Sequence, residues 1–525
     1  MRPEGTVNHA AWSSSSSAYF AEVGLVRLLF QRGLAAIYGV AFLSALNQFR
    51  ALLGERGLLP VPEYLRRVSF WQAPSVFHLR YSDRFFAVVA WTGLGLSLVA
   101  LTGLSESGPL WLSLGVWLTL YALYLSIVNV GQTFYGFGWE SMLLEAGFFA
   151  AFLGPKQLAP SLVPVLALRW MLLRVELGAG LIKLRHDRCW RDLTCLYYHY
   201  ETQPMPNPLS SYFHHLPKPI QRLSVAFSHF VQIVVPFGLF GPQPVAAIAG
   251  CFIIVHQLFL IVSGNYAWLN WLTVVLAVSA FSDRALGALA AFHPVLVRPR
   301  SHGFDLFLDA LALGTALLSI EPTLNFFSKR QAMNASYNPL HLVGSYGAFG
   351  SVTRTRHEIV LEGTDDLELS DQTVWREYEF KGKPGDPTKR PRQWAPYHLR
   401  LDWLMWFLPL RVMVKRSGLL RVGYELWFER LLERLLTGDP AIRALLRRDP
   451  FAGEAPNHLR AGFFIYQLTS RRERKRTGMI WRRRRIGEYL PAILRTPTFE
   501  ARSPDRASTP KAAPRKDGTG DHQTS

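Results

Sequence analysis

The sequence predicts an all-α, multi-pass helical bundle in a membrane, followed by a C-terminal mixed α/β soluble domain with a short antiparallel β-sheet. Of the 525 residues, 49% are hydrophobic and only 18% are charged, which excludes a disordered chain. Four runs contain no Asp, Glu, Lys or Arg, and each is long enough to cross the hydrocarbon core of a bilayer as a helix. Beyond residue 323 such runs stop, and the net charge changes from +5 for residues 1–323 to +14 for the remainder.

The four charge-free runs are predicted to be long helices with no break deeper than a kink at Pro236, because backbone polar groups in lipid must be hydrogen-bonded within their own segment. These runs are residues 85–104, 109–130, 223–241 and 244–263. Five further apolar stretches are shorter or carry charges, and we expect them in the same bundle: residues 24–46, 139–153, 158–182, 267–282 and 304–320. We therefore predict about eight or nine membrane helices within residues 24–323.

The remaining parts of the chain have a different character. Residues 1–23 form a polar tail with five consecutive serines and no cleavage site of a secretory signal, and residues 498–525 have a composition typical of disorder. Residues 324–497 are predicted to form the soluble domain. Its expected elements are strands at residues 356–362 and 374–381, an amphipathic helix at 424–436, and a second helix opened by Asp439 and Pro440.

The sequence contains no motif that assigns a catalytic or cofactor-binding role. It has no Walker loop, no H-E-x-x-H and no G-x-S-x-G. Cys189 and Cys195 have neither redox nor zinc-binding spacing and are expected to be structural or incidental thiols. His229 and His256 lie in apolar helices, where a hydrogen-bonded core histidine is commoner than a metal ligand. No metal site and no cofactor are predicted.

Three charged residues within an apolar stretch are more informative. Arg169, Glu176 and Lys183 are seven residues apart, so on one helix they form a stripe. A charge in hydrocarbon costs a few kcal/mol, so each side chain should point into the bundle, with a carboxylate or carbonyl near each base. The stripe could line a polar cavity for a substrate or client, or form a packing seam paired with Glu140 or Glu145. Two small residues beside it would allow close helix approach: Gly178 and Gly180.

The densest polar stretch is residues 183–208, directly after the stripe. Its acids, bases and aromatic residues could perform general acid–base chemistry, or they could form an interfacial belt braced by Asp–Arg pairs. The stripe residues are the first three candidate functional residues. The stretch supplies six more: Asp187, Trp190, Arg191, Asp192, His199 and Glu201. None of these residues is assigned a catalytic role.

Long blocks of the sequence resemble the lipase maturation factor family. The clearest block is WRDLTCLYYHYETQPMPNPLSSYFHHLP at residues 190–217. Other blocks follow in the same order along residues 24–491: FGWESMLLEAGFFAAFLGP (137–155), RWMLLRVELGAGLIKL (169–184), SGNYAWLNWL (263–272), VWREYEFKGKPGD (374–386), PYHLRLDWLMWF (396–407) and TGMIWRRRRIGEYLP (477–491). Cys189 and Cys195 depart from the pattern, which has Thr or Ser and Ala there, so no thiol mechanism is inferred. Residues 1–320 also resemble, more distantly, the membrane region of vitamin K-dependent carboxylases.

The resemblance implies a membrane-embedded factor that assists the folding or assembly of exported proteins, with lipases as candidate clients. In animals, such proteins lie in the endoplasmic reticulum. The Arg-rich composition and the lack of a signal peptide or retention signal favour a bacterial member in the inner membrane. The expected partners are membrane lipids and a client protein, with no specific nucleic acid. The alternative is a membrane enzyme that acts on a lipid or protein substrate in a polar intramembrane cavity.

Overall fold

The computed structural model describes residues 23–287, 297–414, 420–421 and 424–495 of the chain. These ranges include nearly all of the predicted membrane bundle and of the predicted soluble domain. The polar tail predicted for residues 1–23 lies outside the described residues except for Val23, and so does the disordered tail predicted for residues 498–525.

The described residues of the N-terminal region form helices joined by loops. Its helices are, in chain order, α1 (Gly24–Leu52), α2 (Val61–Leu65), α3 (Asp83–Thr102), α4 (Leu110–Val130), α5 (Gly138–Ala151), α6 (Leu162–Arg185), α7 (Arg188–Arg191), α8 (Leu196–Thr202), α9 (Ser210–His214), α10 (Lys218–His229), α11 (Gln243–Ser263), α12 (Leu269–Ala277), α13 (Asp283–Gly287), α14 (His302–Leu318) and α15 (Ile320–Phe327).

Six segments of the described chain are long and apolar enough to cross a membrane. They are α1, α3, α4, α11, the segment Lys218–Phe240 that begins with α10, and the segment His302–Phe327 that contains α14 and α15. The three charge-free runs predicted around α3, α4 and α11 are confirmed as regular helices. Helices α5, α6 and α12 are shorter or more charged and pack among the six. The total of eight or nine membrane helices stays a prediction.

The fourth charge-free run, residues 223–241, corrects the prediction of an unbroken helix kinked only at Pro236. After α10 the backbone forms a π-helical turn at Phe230–Val234 and then a 3₁₀ turn at Val235–Phe240. Proline explains the second change, because it has no N–H and its ring collides with the preceding turn. The first change begins six residues earlier, where the chain rests against Gly180 of α6. A β-carbon at Gly180 would lie 2.7 Å from Ile233 Cγ1.

The C-terminal region contains a four-stranded antiparallel sheet with the order β2-β1-β5-β6. Its strands are β1 (Arg356–Thr364), β2 (Arg376–Glu377), β5 (His458–Leu468) and β6 (Trp481–Leu494), and a separate hairpin pairs β3 (Met413–Val414) with β4 (Leu420–Arg421). The predicted strand at 356–362 is confirmed, whereas only Arg376 and Glu377 of the predicted strand at 374–381 form a strand, with Glu379 in an isolated bridge to Arg448. The two longest strands, β5 and β6, were not predicted.

Ion pairs across the sheet explain why the hydropathy pattern did not predict strand β6. This strand contains four consecutive arginines, which do not alternate with apolar residues as a half-buried strand does. Arg483 pairs with Glu377 of β2 at 2.7 Å, so a carboxylate replaces the apolar contact on that face. Glu362 of β1 likewise lies opposite Arg460 of β5 and accepts a hydrogen bond from its Nε at 2.7 Å.

Four helices complete the described part of the C-terminal region: α16 (Arg400–Phe407), α17 (Leu426–Leu436), α18 (Pro440–Leu445) and α19 (Arg471–Thr477). The amphipathic character predicted for α17 is confirmed, since Leu431, Leu432 and their neighbours one turn later are buried. Asp439 caps α18 as expected, its carboxylate accepting a hydrogen bond from the Ala441 N–H at 2.8 Å. One hydrophobic core runs from the N-terminal helices into the sheet and α17.

Candidate functional site

The stripe on α6 begins with Arg169, which is buried and points into the bundle. Its guanidinium donates from Nε to the carbonyl of Ser279 at 2.8 Å and from Nη1 to the carbonyl of Leu239 at 3.1 Å. These carbonyls belong to the irregular 3₁₀ turns that end two neighbouring helical segments. Arg169 therefore holds two helix ends against α6, which is a structural role.

Glu176 and Lys183 lie two turns apart on the same side of α6, and both are buried. The Glu176 carboxylate accepts a hydrogen bond at Oε1 from the Gln257 side-chain amide at 2.7 Å. The Lys183 ammonium donates to the side-chain carbonyl of Gln232 at 2.7 Å. The predicted geometry of the stripe is thus confirmed for all three residues: each points inward, and each base has a carbonyl partner.

Of the two alternatives for the stripe, the packing seam paired with Glu140 or Glu145 is wrong. Glu145 pairs instead with Arg174, which projects from another face of α6, and its Oε2 also accepts from the Tyr346 hydroxyl at 2.7 Å. Glu140 pairs with Arg400 of α16 at 2.6 Å. Spacing along one helix could not show this, because both partners are brought in by tertiary packing.

A cavity of about 440 Å³ lies beside Glu176 and Lys183. Helices α6, α8, α10, α11 and α12 and residues 346–349 form most of its walls, which are mostly aliphatic and aromatic. The walls extend outward to Leu223 of α10 and Val255 of α11, which are 70% and 57% exposed on segments that are apolar enough to span a membrane. The cavity is therefore a hydrophobic chamber with a few polar groups at its inner end.

Two of the six candidates from the dense polar stretch, Trp190 and His199, also line this cavity. Trp190 lies under the Lys183 ammonium, 5.0 Å from the ring centre, and its indole N–H donates to the Phe349 carbonyl at 2.9 Å. His199 Nε2 lies 2.8 Å from the Tyr266 hydroxyl.

The other four of these six candidates are placed elsewhere. Asp187 caps α7 and pairs with Arg354 at 2.7 Å. The hydrogen bond from Arg354 lowers the pKa of Asp187 to about 2. Arg191 and Asp192 lie on the outside of the same loop, and Asp192 pairs with Arg188 of its own turn, at 3.2 Å.

Glu201 faces the sheet, where its Oε2 accepts from the Leu468 N–H at 2.8 Å, and burial raises its pKa. The nine candidates therefore do not form one constellation. An acid–base enzyme would need its acid and base within reach of the same reacting atom. Asp187 pairs with Arg354, Asp192 pairs with Arg188, and Glu201 bonds to the sheet. That this stretch forms an interfacial belt stays a prediction.

Cys189 and Cys195 correct another expectation, because they form a disulfide instead of free thiols. The chain turns tightly between them, with the Thr194 N–H bonded to the Cys189 carbonyl at 2.8 Å, and this brings the two Cα atoms to 4.8 Å. That separation is within the normal range for a disulfide. Both sulfurs lie near the Asp187 carboxylate, but as a disulfide they offer no thiolate for a metal.

The histidines predicted to be hydrogen-bonded core residues have the expected partners. His229 Nε2 lies 3.0 Å from the carbonyl of Trp190, and His256 Nε2 lies 3.1 Å from the Ser228 hydroxyl. The sequence-based prediction missed Gln232 and Gln257, the two amides that hold the stripe. Their signal was present: each is a polar residue within a run that is otherwise almost entirely apolar.

Arg356, at the start of β1, was also missing from the predicted functional residues. It is 1% exposed and donates to three backbone carbonyls within the block at 190–217, those of Glu201, Gln203 and Pro204. This side chain fixes the most distinctive block of the sequence to the sheet.

Comparison with known proteins gives two family models that together span most of the chain. The lipase maturation factor transmembrane domain matches residues 25–288, and the lipase maturation factor C-terminal domain matches residues 342–491. The first match contains the stripe, the cavity helices and the block at 190–217. The second contains the sheet and α16 to α19.

Curated relatives are similar along nearly their whole length. Lipase maturation factor 1 of Mus musculus is 40% identical over 515 residues, which cover 89% of this chain and 87% of the relative. Lipase maturation factor 1 of Homo sapiens is 38% identical, covering 89% and 88%. Lipase maturation factor 2 of Rattus norvegicus is 28% identical, covering 92% and 87%. No solved structure matches the chain.

Proposed function

Since the chain belongs to the lipase maturation factor family, we propose that it is a membrane-embedded factor that assists the folding or assembly of exported lipases. One observation carries the proposal: 38–40% identity to lipase maturation factor 1 extends through both the membrane helices and the C-terminal region. The chain is an integral membrane protein with six candidate spans among its described residues. We place it in the inner membrane of a bacterial host, or in the endoplasmic reticulum membrane of a eukaryotic one.

The contacts between the two regions support a factor that works as one body. Glu140 of α5 pairs with Arg400 of α16. Gln48 of α1 donates to the carbonyl of His398 at 2.7 Å and accepts from the Arg400 N–H at 3.0 Å. Because these groups are buried, separating the two regions would expose several polar groups that lose their partners. The C-terminal region is thus fixed against the membrane helices.

The spread of the candidate residues also favours a folding factor over an enzyme. A folding factor binds many different segments of a client, so its binding energy is distributed over a broad surface. An enzyme depends on a compact set of catalytic groups, and the loss of one of them reduces the reaction rate by orders of magnitude. Among the described residues, Glu176, Lys183 and His199 line one cavity, whereas Asp187, Asp192 and Glu201 make their contacts at separate places.

The proposal is tested by deleting the gene in its native host and measuring the activity of exported lipases per amount of lipase protein. We expect the specific activity of at least one exported lipase to fall severalfold and to return when the intact gene is restored. Unchanged specific activity of every exported lipase would contradict the proposal.

Point variants then separate a folding factor from an enzyme. Asp187→Asn, Asp192→Asn, His199→Gln and Glu201→Gln keep side-chain size while they remove charge or basicity. For a folding factor, each should lower the lipase yield in proportion to its effect on this protein's own abundance. Complete loss of maturation by one variant at normal abundance would favour the enzyme instead.

A further inference from the structure

We propose that the cavity between α6, α10, α11 and α12 binds a single-chain lipid with a neutral, hydroxyl-bearing head group, of the monoacylglycerol class. Its acyl chain would lie along the apolar walls, and its head group would meet Glu176, Gln257 and Lys183. This inference does not depend on the proposed function, since a maturation factor needs no bound lipid.

The shape and surroundings of the cavity indicate that its occupant comes from the membrane. Its volume of about 440 Å³ is within the range of small-molecule sites. Ile220 and Leu223 on α10 and Val255 on α11 belong to its lining and are between 47% and 70% exposed on the outside of two candidate spans. In a bilayer this side of the cavity faces acyl chains, so an apolar molecule can enter between the two helices without crossing water.

The inner end of the cavity contains buried polar atoms that lack partners within the described part of the chain. Glu176 is 0% exposed, and its Oε2 has no hydrogen-bond partner of normal geometry there. The same holds for Oε1 of Gln257, which is 3% exposed, and for Nδ1 of His256. Burying a polar atom without a partner is unfavourable, so a ligand group that satisfies these atoms binds favourably.

The chemistry of these atoms selects the head group. Two of them, a carboxylate oxygen and an amide oxygen, can only accept hydrogen bonds from a neutral ligand, so the head group must donate. The Lys183 ammonium lies at the same end and can only donate, so the head group must also accept. A hydroxyl does both. A fatty-acid carboxylate would face the Glu176 carboxylate, and a quaternary ammonium has no hydrogen to donate.

The size of the cavity favours one acyl chain. Sites of this volume hold molecules of drug size, which a single chain with a glycerol head resembles and a two-chain phospholipid exceeds. Glu176, Gln257 and Lys183 are buried, whereas the exposed lining residues Ile220, Leu223 and Val255 are apolar. The ligand is therefore oriented with its head inward and its chain toward the membrane.

The test uses the purified full-length protein in phosphatidylcholine nanodiscs with a monoacylglycerol that carries a photoreactive diazirine in its acyl chain. We expect saturable crosslinking to peptides of α6, α10 and α11. Unlabelled monoacylglycerol should compete at least tenfold better than the matching fatty acid or lysophosphatidylcholine. Equal competition by the fatty acid would overturn the head-group assignment, and non-saturable labelling spread over all lipid-facing helices would overturn the site.

A matched pair of variants on α10 locates the site. Ser224 lines the cavity, whereas Ala226, two residues later and equally half-buried, does not. Ser224→Trp should reduce crosslinking at least tenfold, and Ala226→Trp should leave it within twofold of the original. Equal labelling of both variants would refute the assignment. If Ser224→Trp lowers the yield of folded protein, the competition experiments on the unaltered protein decide whether the cavity binds the monoacylglycerol.

Discussion

The buried ion pair between Glu140 and Arg400 is predicted to be a main link between the membrane helices and the C-terminal region. Both side chains are 0% exposed, and Arg400 Nη1 lies 2.6 Å from Glu140 Oε1. The same nitrogen donates to the carbonyl of Phe134 at 2.8 Å, and the guanidinium carbon lies 3.5 Å from the centre of the Tyr135 ring. The other carboxylate oxygen accepts from the Tyr124 hydroxyl.

The perturbation is a double-mutant cycle with Glu140→Gln, Arg400→Met and both together. Each single variant leaves one buried charge without its counter-charge, which typically costs about 3–5 kcal/mol in the free energy of unfolding. The double variant leaves neither charge, so we expect it to cost little more than one single variant. The coupling energy should therefore be at least about 2 kcal/mol.

The assay is unfolding in detergent micelles by increasing denaturant, followed by tryptophan fluorescence, together with limited proteolysis of the C-terminal region. Arg411→Met is the control, because Arg411 pairs with Glu425 while its side chain is 60% exposed; it should cost less than about 1 kcal/mol. Strictly additive single effects, or single losses no larger than that of the control, would refute the argument that this pair holds the two regions together.

Three further predictions concern single sites. Gly178→Ala should destabilise the protein by about 1–3 kcal/mol, because a β-carbon there overlaps the Tyr346 carbonyl oxygen. The control is Gly115→Ala, which has no atom within 4 Å of its β-carbon and should be neutral or slightly stabilising. Equal thermal unfolding of the two variants would contradict this. Burial raises the pKa of Asp402 to about 6 from about 3.8, so the free energy of unfolding falls as pH rises through that interval. Asp402→Asn should abolish this pH-dependent fall, which is on the order of 3 kcal/mol. Parallel stability curves for the variant and the original protein from pH 4 to 6 would exclude this. Asp187→Asn should lower the free energy of unfolding by about 1–2 kcal/mol, because it loses the pair with Arg354. Asp192→Asn, which affects an exposed pair, should lower it by less than about 0.5 kcal/mol. The reverse order in denaturant unfolding would show that other contacts hold the loop.

Local patterns predicted much of the fold. Absence of charge over 20 residues indicated α3, α4 and α11, because hydrocarbon admits only segments that satisfy their own backbone. Spacing by seven indicated that Arg169, Glu176 and Lys183 share one inward face of α6. The amphipathic pattern of α17 and the capping residue of α18 are likewise local, and both predictions were confirmed.

Other features depended on partners that are distant in sequence. Strand β6 was missed because carboxylates of β1 and β2 take the place of apolar neighbours, as Glu377 does for Arg483. The disulfide between Cys189 and Cys195 depends on a tight turn that C-x5-C spacing does not reveal. The partner of Glu140 lies 260 residues away on α16. No local pattern contains such pairings.

By itself, the sequence determined that the chain has a membrane bundle and a C-terminal α/β region, and that charges on α6 must face inward, because the cost of exposing polar groups to lipid is a property of each segment alone. Only the tertiary structure decided what those charges meet. Glu176 and Lys183 are held by the amides of Gln257 and Gln232 beside an apolar cavity, and the neighbouring acids Glu140 and Glu145 are taken by Arg400 and Arg174. The physical reason is that any polar group of suitable geometry can stabilise a buried charge. The packing of helices that are far apart in the chain therefore determines which partner each charge has.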